Sequence, residues 1–322
     1  MTHPIPPGTR DVLPAEMREL REIERAVQSS FDAAGYGEVL TPTMEYEDVL
    51  RRGDDRAAGA GYRLFDEQGH VLALRSDMTI PLARVAATRL AEVEPPLRLR
   101  YLAPAYRAVM RGTGEPREFL QAGVELMGVE SPAGDSEVLR CALDALDAAG
   151  LRRHRLGLGD AGIATALLDE TGAEPAARAA IVDALRRRDL PALEVRLDRA
   201  GIASPAREVL ARLPLLRGGP EILDRADGPS PEALERLRGL YEMLHEAGAG
   251  ERVLLDLGIV HELGYYTGPV FEVYDPAVGF PLGGGGRYDG LLGRFGRPLP
   301  ACGIALDVHR LHLARAAEEK LR

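Results

Sequence analysis

Residues 151 to about 249 are rich in Ala, Leu and Arg, with helical periods broken by Gly and Pro, and strand-like runs lie on both sides of them. A helical tract between strand-rich tracts points to an α+β fold whose sheet is completed by the last third of the chain. We therefore expect residues 1–150 and 250–322 to form one core, with 151–249 as a small, mostly helical inserted subdomain. Within the core, Met17, Leu20, Ile23 and Val27 recur at helical spacing behind Pro14 and predict a helix over 14–34. Glu38 to Pro42 reads as a short strand stopped by proline. Residues 62–75 read as a hairpin around Asp66-Glu67-Gln68-Gly69. Further helices are expected over 77–90, 134–149 and 307–319. Further strands are expected over 98–108, 118–127, 253–255, 266–274 and 301–306. There is no internal repeat.

Among the 40 basic residues only one is lysine, Lys320. A Walker A loop, a Schiff-base enzyme and a protein kinase each need a lysine inside the site, so these classes are excluded. The net charge of −10 disfavours a protein whose main task is gripping nucleic acid, because phosphate neutralisation supplies most of that affinity. Arg186-Arg187-Arg188 lies between Asp183 and Asp189 and reads as a solvated helix face. Cys141 and Cys302 are too few for a disulfide framework or a cysteine-rich zinc site and fit a reducing cytoplasm. No apolar run approaches the ~18–20 residues that span a bilayer, and the N-terminus has no apolar signal region, so we expect a cytoplasmic protein with no membrane partner.

Several motifs carry chemistry. Gly157-Leu158-Gly159-Asp160-Ala161-Gly162 matches a dinucleotide fingerprint, but the run before it is a poor buried strand, and we read it as a glycine-rich turn before a helix. His309 and His312 read as surface histidines on the last helix. Gly283 to Gly286 precede Arg287-Tyr288-Asp289. Four glycines in a row are kept where a ligand or another backbone comes close, or form a flexible hairpin loop. Tyr265 and Tyr266, if on a strand, face opposite sides. Arg75-Ser76-Asp77-Met78-Thr79 places a carboxylate and a hydroxyl at a strand-to-helix step, where Ser76 or Asp77 can also cap the helix. Gln121, Gly123 and Glu125 share one face of a strand: an amide, a gap and a carboxylate, either a small polar pocket or the wet face of a sheet.

Pro7 to Pro14, Thr41-Pro42, Leu74 to Thr79, Arg117 to Glu125, Tyr265 to Gly268 and Gly285 to Gly290 occur in an order that resembles the catalytic core of histidyl-tRNA synthetase, a class II synthetase, over nearly the whole chain. The resemblance implies a mostly antiparallel sheet flanked by helices and a pocket for L-histidine. In that pocket Asp77, Thr79 and Gln121 would hold the ammonium group. Glu125 with one or both of Tyr265 and Tyr266 would hold the imidazole, and Arg107 would meet the carboxylate. His261, Gly285, Gly286, Arg287 and Tyr288 are further ligand-loop candidates. The departures bear on activity. Val109 stands where the synthetases place an ATP-contacting Glu, Glu115 replaces a loop Arg, and His261 replaces the arginine that stabilises charge during adenylation. With no anticodon-binding domain expected, this pattern is similar to the branch of regulatory subunits of ATP phosphoribosyltransferase. That branch implies no catalytic residues, cofactor or metal, a homodimer formed around Pro42, a short catalytic subunit as partner, and allosteric control by histidine at the first step of histidine biosynthesis. The alternative is a truncated synthetase paralogue that still adenylates an amino acid. Arg107, Arg310 and the glycine run favour it.

Overall fold

The computed structural model describes residues 5–54, 61–108, 116–225, 230–260 and 264–321. Helix α1 (Pro14–Ala33) starts on a proline whose missing N–H costs nothing there and buries Leu20, Ile23, Val27 and Phe31. Gly35, at φ +85°, turns the chain out of the helix. Strand β1 (Gly37–Glu38) then pairs parallel to β5 (Leu97–Tyr106), and β5 pairs antiparallel to β6 (Glu118–Met127). These two ten-residue strands, both expected from the sequence, carry Tyr101, Gln121 and Glu125.

Nine strands form the central sheet in the order β1-β5-β6-β12-β11-β10-β7-β9-β8. The later members are β7 (Arg155–Asp160), β8 (Arg217–Gly218), β9 (Val253–Asp256), β10 (Pro269–Tyr274), β11 (Gly283–Arg287) and β12 (Ala301–Asp307). Apart from the parallel β1/β5 and β7/β9 pairs, all neighbours are antiparallel. A second sheet, β2-β4-β3, joins β2 (Met44–Tyr46), β3 (Arg63–Phe65) and β4 (Val71–Leu74). The expected hairpin is its β3–β4 pair.

The sheet has two unlike faces. Helices α1, α4 (Ala133–Ala148) and α10 (Val308–Lys320) cover one, over Val124, Leu126, Phe271, Ile304 and Leu306. The other meets α3 (Thr79–Thr88), α2 (Glu47–Gly53) and the small sheet, in a core that includes Leu50, Met78, Ile80, Leu99, Tyr101, Tyr265 and Tyr288.

Two expectations change here. The glycines of 157–162 do not make a turn: Gly157 and Gly159 lie within buried strand β7, and helix α5 (Ala161–Glu170) follows at once, capped by Asp160, whose carboxylate accepts from Gly162 N at 2.8 Å. So residues 155–160, inside the tract expected to be helical, form a central strand. Helices α5, α6 (Pro175–Arg187), α7 (Leu190–Arg199), α8 (Ala206–Arg212) and α9 (Pro231–Glu246) follow it. The arginine run of 186–188 is not all solvated. Arg186 and Arg187 pair with Asp183, but Arg188, at φ 52°, turns inward to the buried Asp256 of β9 and donates to Pro214 O at 3.0 Å. Together with Arg236 on Asp160, this pins the helical segment to the sheet.

Candidate functional site

In an antiparallel pair, residues directly opposite one another point to the same face. Glu125 lies opposite Leu99 and Gly303, Gly123 opposite Tyr101 and Ala305, and Gln121 opposite Ala103 and Asp307; Gly286 lies opposite Gly303. One face therefore carries three glycines on three neighbouring strands, and polar side chains occupy the space they leave. A Cβ on Gly303 would fall on the Glu125 carboxylate, and one on Gly123 would fall on the Tyr101 phenol. One on Gly286 would lie 2.8 Å from Tyr266 Cδ1.

Glu125, 1% exposed, is the centre of this face. Thr79, the first residue of α3, donates to its Oε1 at 2.7 Å, and Tyr288 donates to its Oε2. Tyr265 is hydrogen-bonded to Thr79, and Tyr266 to Tyr265. The rings of Tyr265 and Tyr266 stand 4.9 Å apart and those of Tyr265 and Tyr288 5.8 Å apart. Both tyrosines of the pair reach the site because they precede β10, which starts only at Pro269, so strand alternation does not separate them. Asp77 caps α3: its Oδ1 accepts from Ile80 N at 3.1 Å, and Ser76 donates to its Oδ2 at 3.3 Å. A carboxylate has about four acceptor positions, so capping leaves room for a ligand. Gln121 completes the group, with its Oε1 buried and without a hydrogen-bond partner.

The electrostatics are unusual for a core. Burial pushes the Glu125 carboxyl up to about 7, against the hydroxyls of Tyr288 and Thr79 and aided by the charge of Asp77. Burial raises Asp77 as well, and holds the phenols of Tyr101, Tyr265 and Tyr288 well above their usual range. Among the described residues neither carboxyl has an ion-pair partner. Two buried acids without an ion-pair partner, an orphaned amide oxygen and four phenols are groups that a small ligand bringing positive charge and N–H donors would satisfy.

The remaining predicted residues are placed elsewhere. Arg287 is not part of a ligand loop. Gly283–Arg287 is a central strand, packed so closely that a Cβ on Gly285 would run into the backbone of β12. Arg287 points to the helix-covered face, 2% exposed, where its Nε meets Asp135 at 3.0 Å, its Nη1 meets Asp289 at 2.9 Å and Val129 O accepts at 3.2 Å. Tyr288, one residue on, faces the site. Arg107 is exposed, with its guanidinium over the Phe119 ring at 5.1 Å. Arg310 donates to Pro281 O at 2.7 Å and covers Phe280. His309 and His312 are not surface residues: both are half-buried between α10 and α1, with His312 Nδ1 3.5 Å from Glu19. Val109, Glu115 and His261 lie outside the described residues. Sequence reasoning missed Tyr101 and Gly303; their cross-strand register with Gly123 and Glu125 was the signal. No group of three metal-ligating side chains occurs among the described residues, and none of their helices is long and apolar enough to cross a membrane.

The family model "Histidyl-tRNA synthetase" matches residues 8–311. A protein of Moorella thermoacetica, named ATP phosphoribosyltransferase regulatory subunit, is 43% identical over 97% of this chain and 82% of its own length. A crystal structure titled as an ATP phosphoribosyltransferase regulatory subunit/histidyl-tRNA synthetase, from Bacillus halodurans, superposes with TM-score 0.87 at 34% identity over 98% of this chain and 83% of the other. Another, a histidine–tRNA ligase subunit from Alicyclobacillus acidocaldarius, gives 0.86 at 32% identity over 99% of both. The fold is that of class II tRNA synthetases. Within it, the chain belongs to the family of ATP phosphoribosyltransferase regulatory subunits.

Proposed function

We propose that the chain is a non-catalytic subunit that binds L-histidine and passes its presence to a short ATP phosphoribosyltransferase catalytic subunit, as feedback control of histidine biosynthesis. The pair of buried carboxyls without an ion-pair partner among the described residues carries this reading. The ligand's ammonium group would sit at Asp77, Thr79 and the free Gln121 oxygen. Its imidazole, both donor and acceptor, would sit between Glu125 and the phenols of Tyr265, Tyr266 and Tyr288. Arg310, which the adenylating alternative would need, is engaged on Pro281 O and over Phe280. This supports a binding role over adenylation. Arg107 would leave Phe119 to meet the ligand carboxylate. The working form would be a homodimer, placed in the cytoplasm with its catalytic partner.

Calorimetric titration with L-histidine tests the pocket, and histidine-dependent exchange of labelled pyrophosphate into ATP tests the chemistry. We expect binding without exchange. Exchange by the purified chain would instead support the adenylating paralogue. Absence of binding by a folded sample would remove the pocket assignment.

A further inference from the structure

Residues 5–13 run largely along the surface ahead of α1, yet three points fix them. Val12 packs against the core beneath the helix-covered face, and Arg10 pairs with Glu16 at 2.6 Å. The third point is a tight turn, Pro6–Thr9. Thr9 donates to Pro6 O twice, from its N–H at 3.1 Å and from its hydroxyl at 2.7 Å. Gly8 stands third in the turn at φ +79°, the left-handed conformation that a type II turn requires there, and Pro7 before it supplies the fixed φ of the second position. Pro6-Pro7-Gly8-Thr9 therefore spells one rigid turn at the surface, where core packing gives no reason for it.

What the turn holds is the backbone of Arg107. The Gly8 carbonyl accepts from Arg117 N at 2.8 Å, and the Arg117 carbonyl accepts from Arg107 N at 2.9 Å. Tyr106 and Glu118 form the last pair of the β5/β6 ladder, so Arg107 and Arg117 are the first residues beyond it. One residue earlier, Tyr106 N donates to Arg75 O at 2.9 Å, next to Ser76 and Asp77. The root of Arg107 is thereby braced by both. Its side chain, in contrast, is exposed and rests over Phe119. A long side chain that must swing to a ligand loses less freedom when its backbone is already in place.

We propose that the Pro6–Thr9 turn is a clasp that positions Arg107 for the ligand carboxylate, and so makes the pocket prefer an amino acid to the amine left when its carboxylate is removed. The clasp rests on the proposed histidine site. Calorimetric titration of the full chain with L-histidine and with histamine, which lacks only the carboxylate, measures the preference as a ratio of affinities. We expect Gly8→Val and deletion of residues 2–9 each to lower that ratio by about two- to fivefold, as Arg107→Ala does, while histamine affinity holds. In the Arg107→Ala background the deletion should change the ratio no further, since no guanidinium is left to aim. A turn that merely stabilised the fold would not move the ratio. A ratio left unchanged by the deletion, equal losses for both ligands, a native ratio in Arg107→Ala, or a further fall in the Arg107→Ala background would each overturn the clasp. The deletion decides where Gly8→Val keeps the turn, and Gly8→Val decides where the deletion does not fold. A native chain that binds neither ligand would strike the proposed function, and the clasp with it.

Discussion

Each face of the central sheet buries a carboxylate, and the two are treated in opposite ways. Asp135, on the helix-covered face, is locked to Arg287, which is itself held by Asp289 and Val129 O. Glu125, on the pocket face, is buried as deeply but meets only hydroxyls. A buried charge given its counter-ion within the chain is structural. One left without a counter-ion is where we place the proposed ligand. The contrast also separates neighbours in sequence: Arg287 and Tyr288, one peptide apart, serve the two faces.

The comparison predicts effects of different kinds and sizes. Arg287→Ala strands the buried Asp135 carboxylate and should lower unfolding free energy by about 3–5 kcal/mol, measured by chemical denaturation. A loss below about 1 kcal/mol would break the contrast. Next comes pH. The Glu125 carboxyl is held near 7 in the folded chain, above its ordinary 4.5. Between those values the folded state keeps a proton that the unfolded state releases, so this group's contribution is full below 4.5 and is lost as pH rises through 7. The loss is about 3 kcal/mol. Denaturation across that range should show the slope in the native chain and a flatter one in Glu125→Gln. The same variant should weaken histidine binding by roughly a hundredfold at pH 8, because the imidazole loses its charged partner, while stability there is unchanged or higher. Unchanged affinity by calorimetry would remove Glu125 from the site. Smallest is Arg107→Ala. Its guanidinium is exposed and already stacked on Phe119, so affinity should fall only about two- to fivefold.

Period and register made much of this legible in the sequence. The apolar stripe of α1 and the hairpin of β3 and β4 announce themselves. Placing Gln121, Gly123 and Glu125 on one face follows from strand geometry alone. Glycine hides the rest. Gly157 and Gly159 erase the alternation that would mark β7, and the run of 283–286 has no pattern, so a central strand reads as a loop. Arg287 drew attention because it follows those glycines, yet its partner is 152 residues away and only the fold brings them together. The polar residues of 41–47 are buried because Arg75, Arg84 and Arg63 reach them from beyond any local window, and only Arg51, one helical turn from Glu47, is a local partner.

Gly123, Gly286 and Gly303 leave the floor of the site bare of side chains of its own, and Tyr101, Tyr266 and Glu125 fill the space. No side chain there can be trimmed, and an added methyl group would fall on one of those three residues. A laboratory seeking receptors for other small cations would thus have to leave this floor untouched. A change there would dislodge the recognition groups themselves, so new guests would have to be admitted by recutting the tyrosine wall.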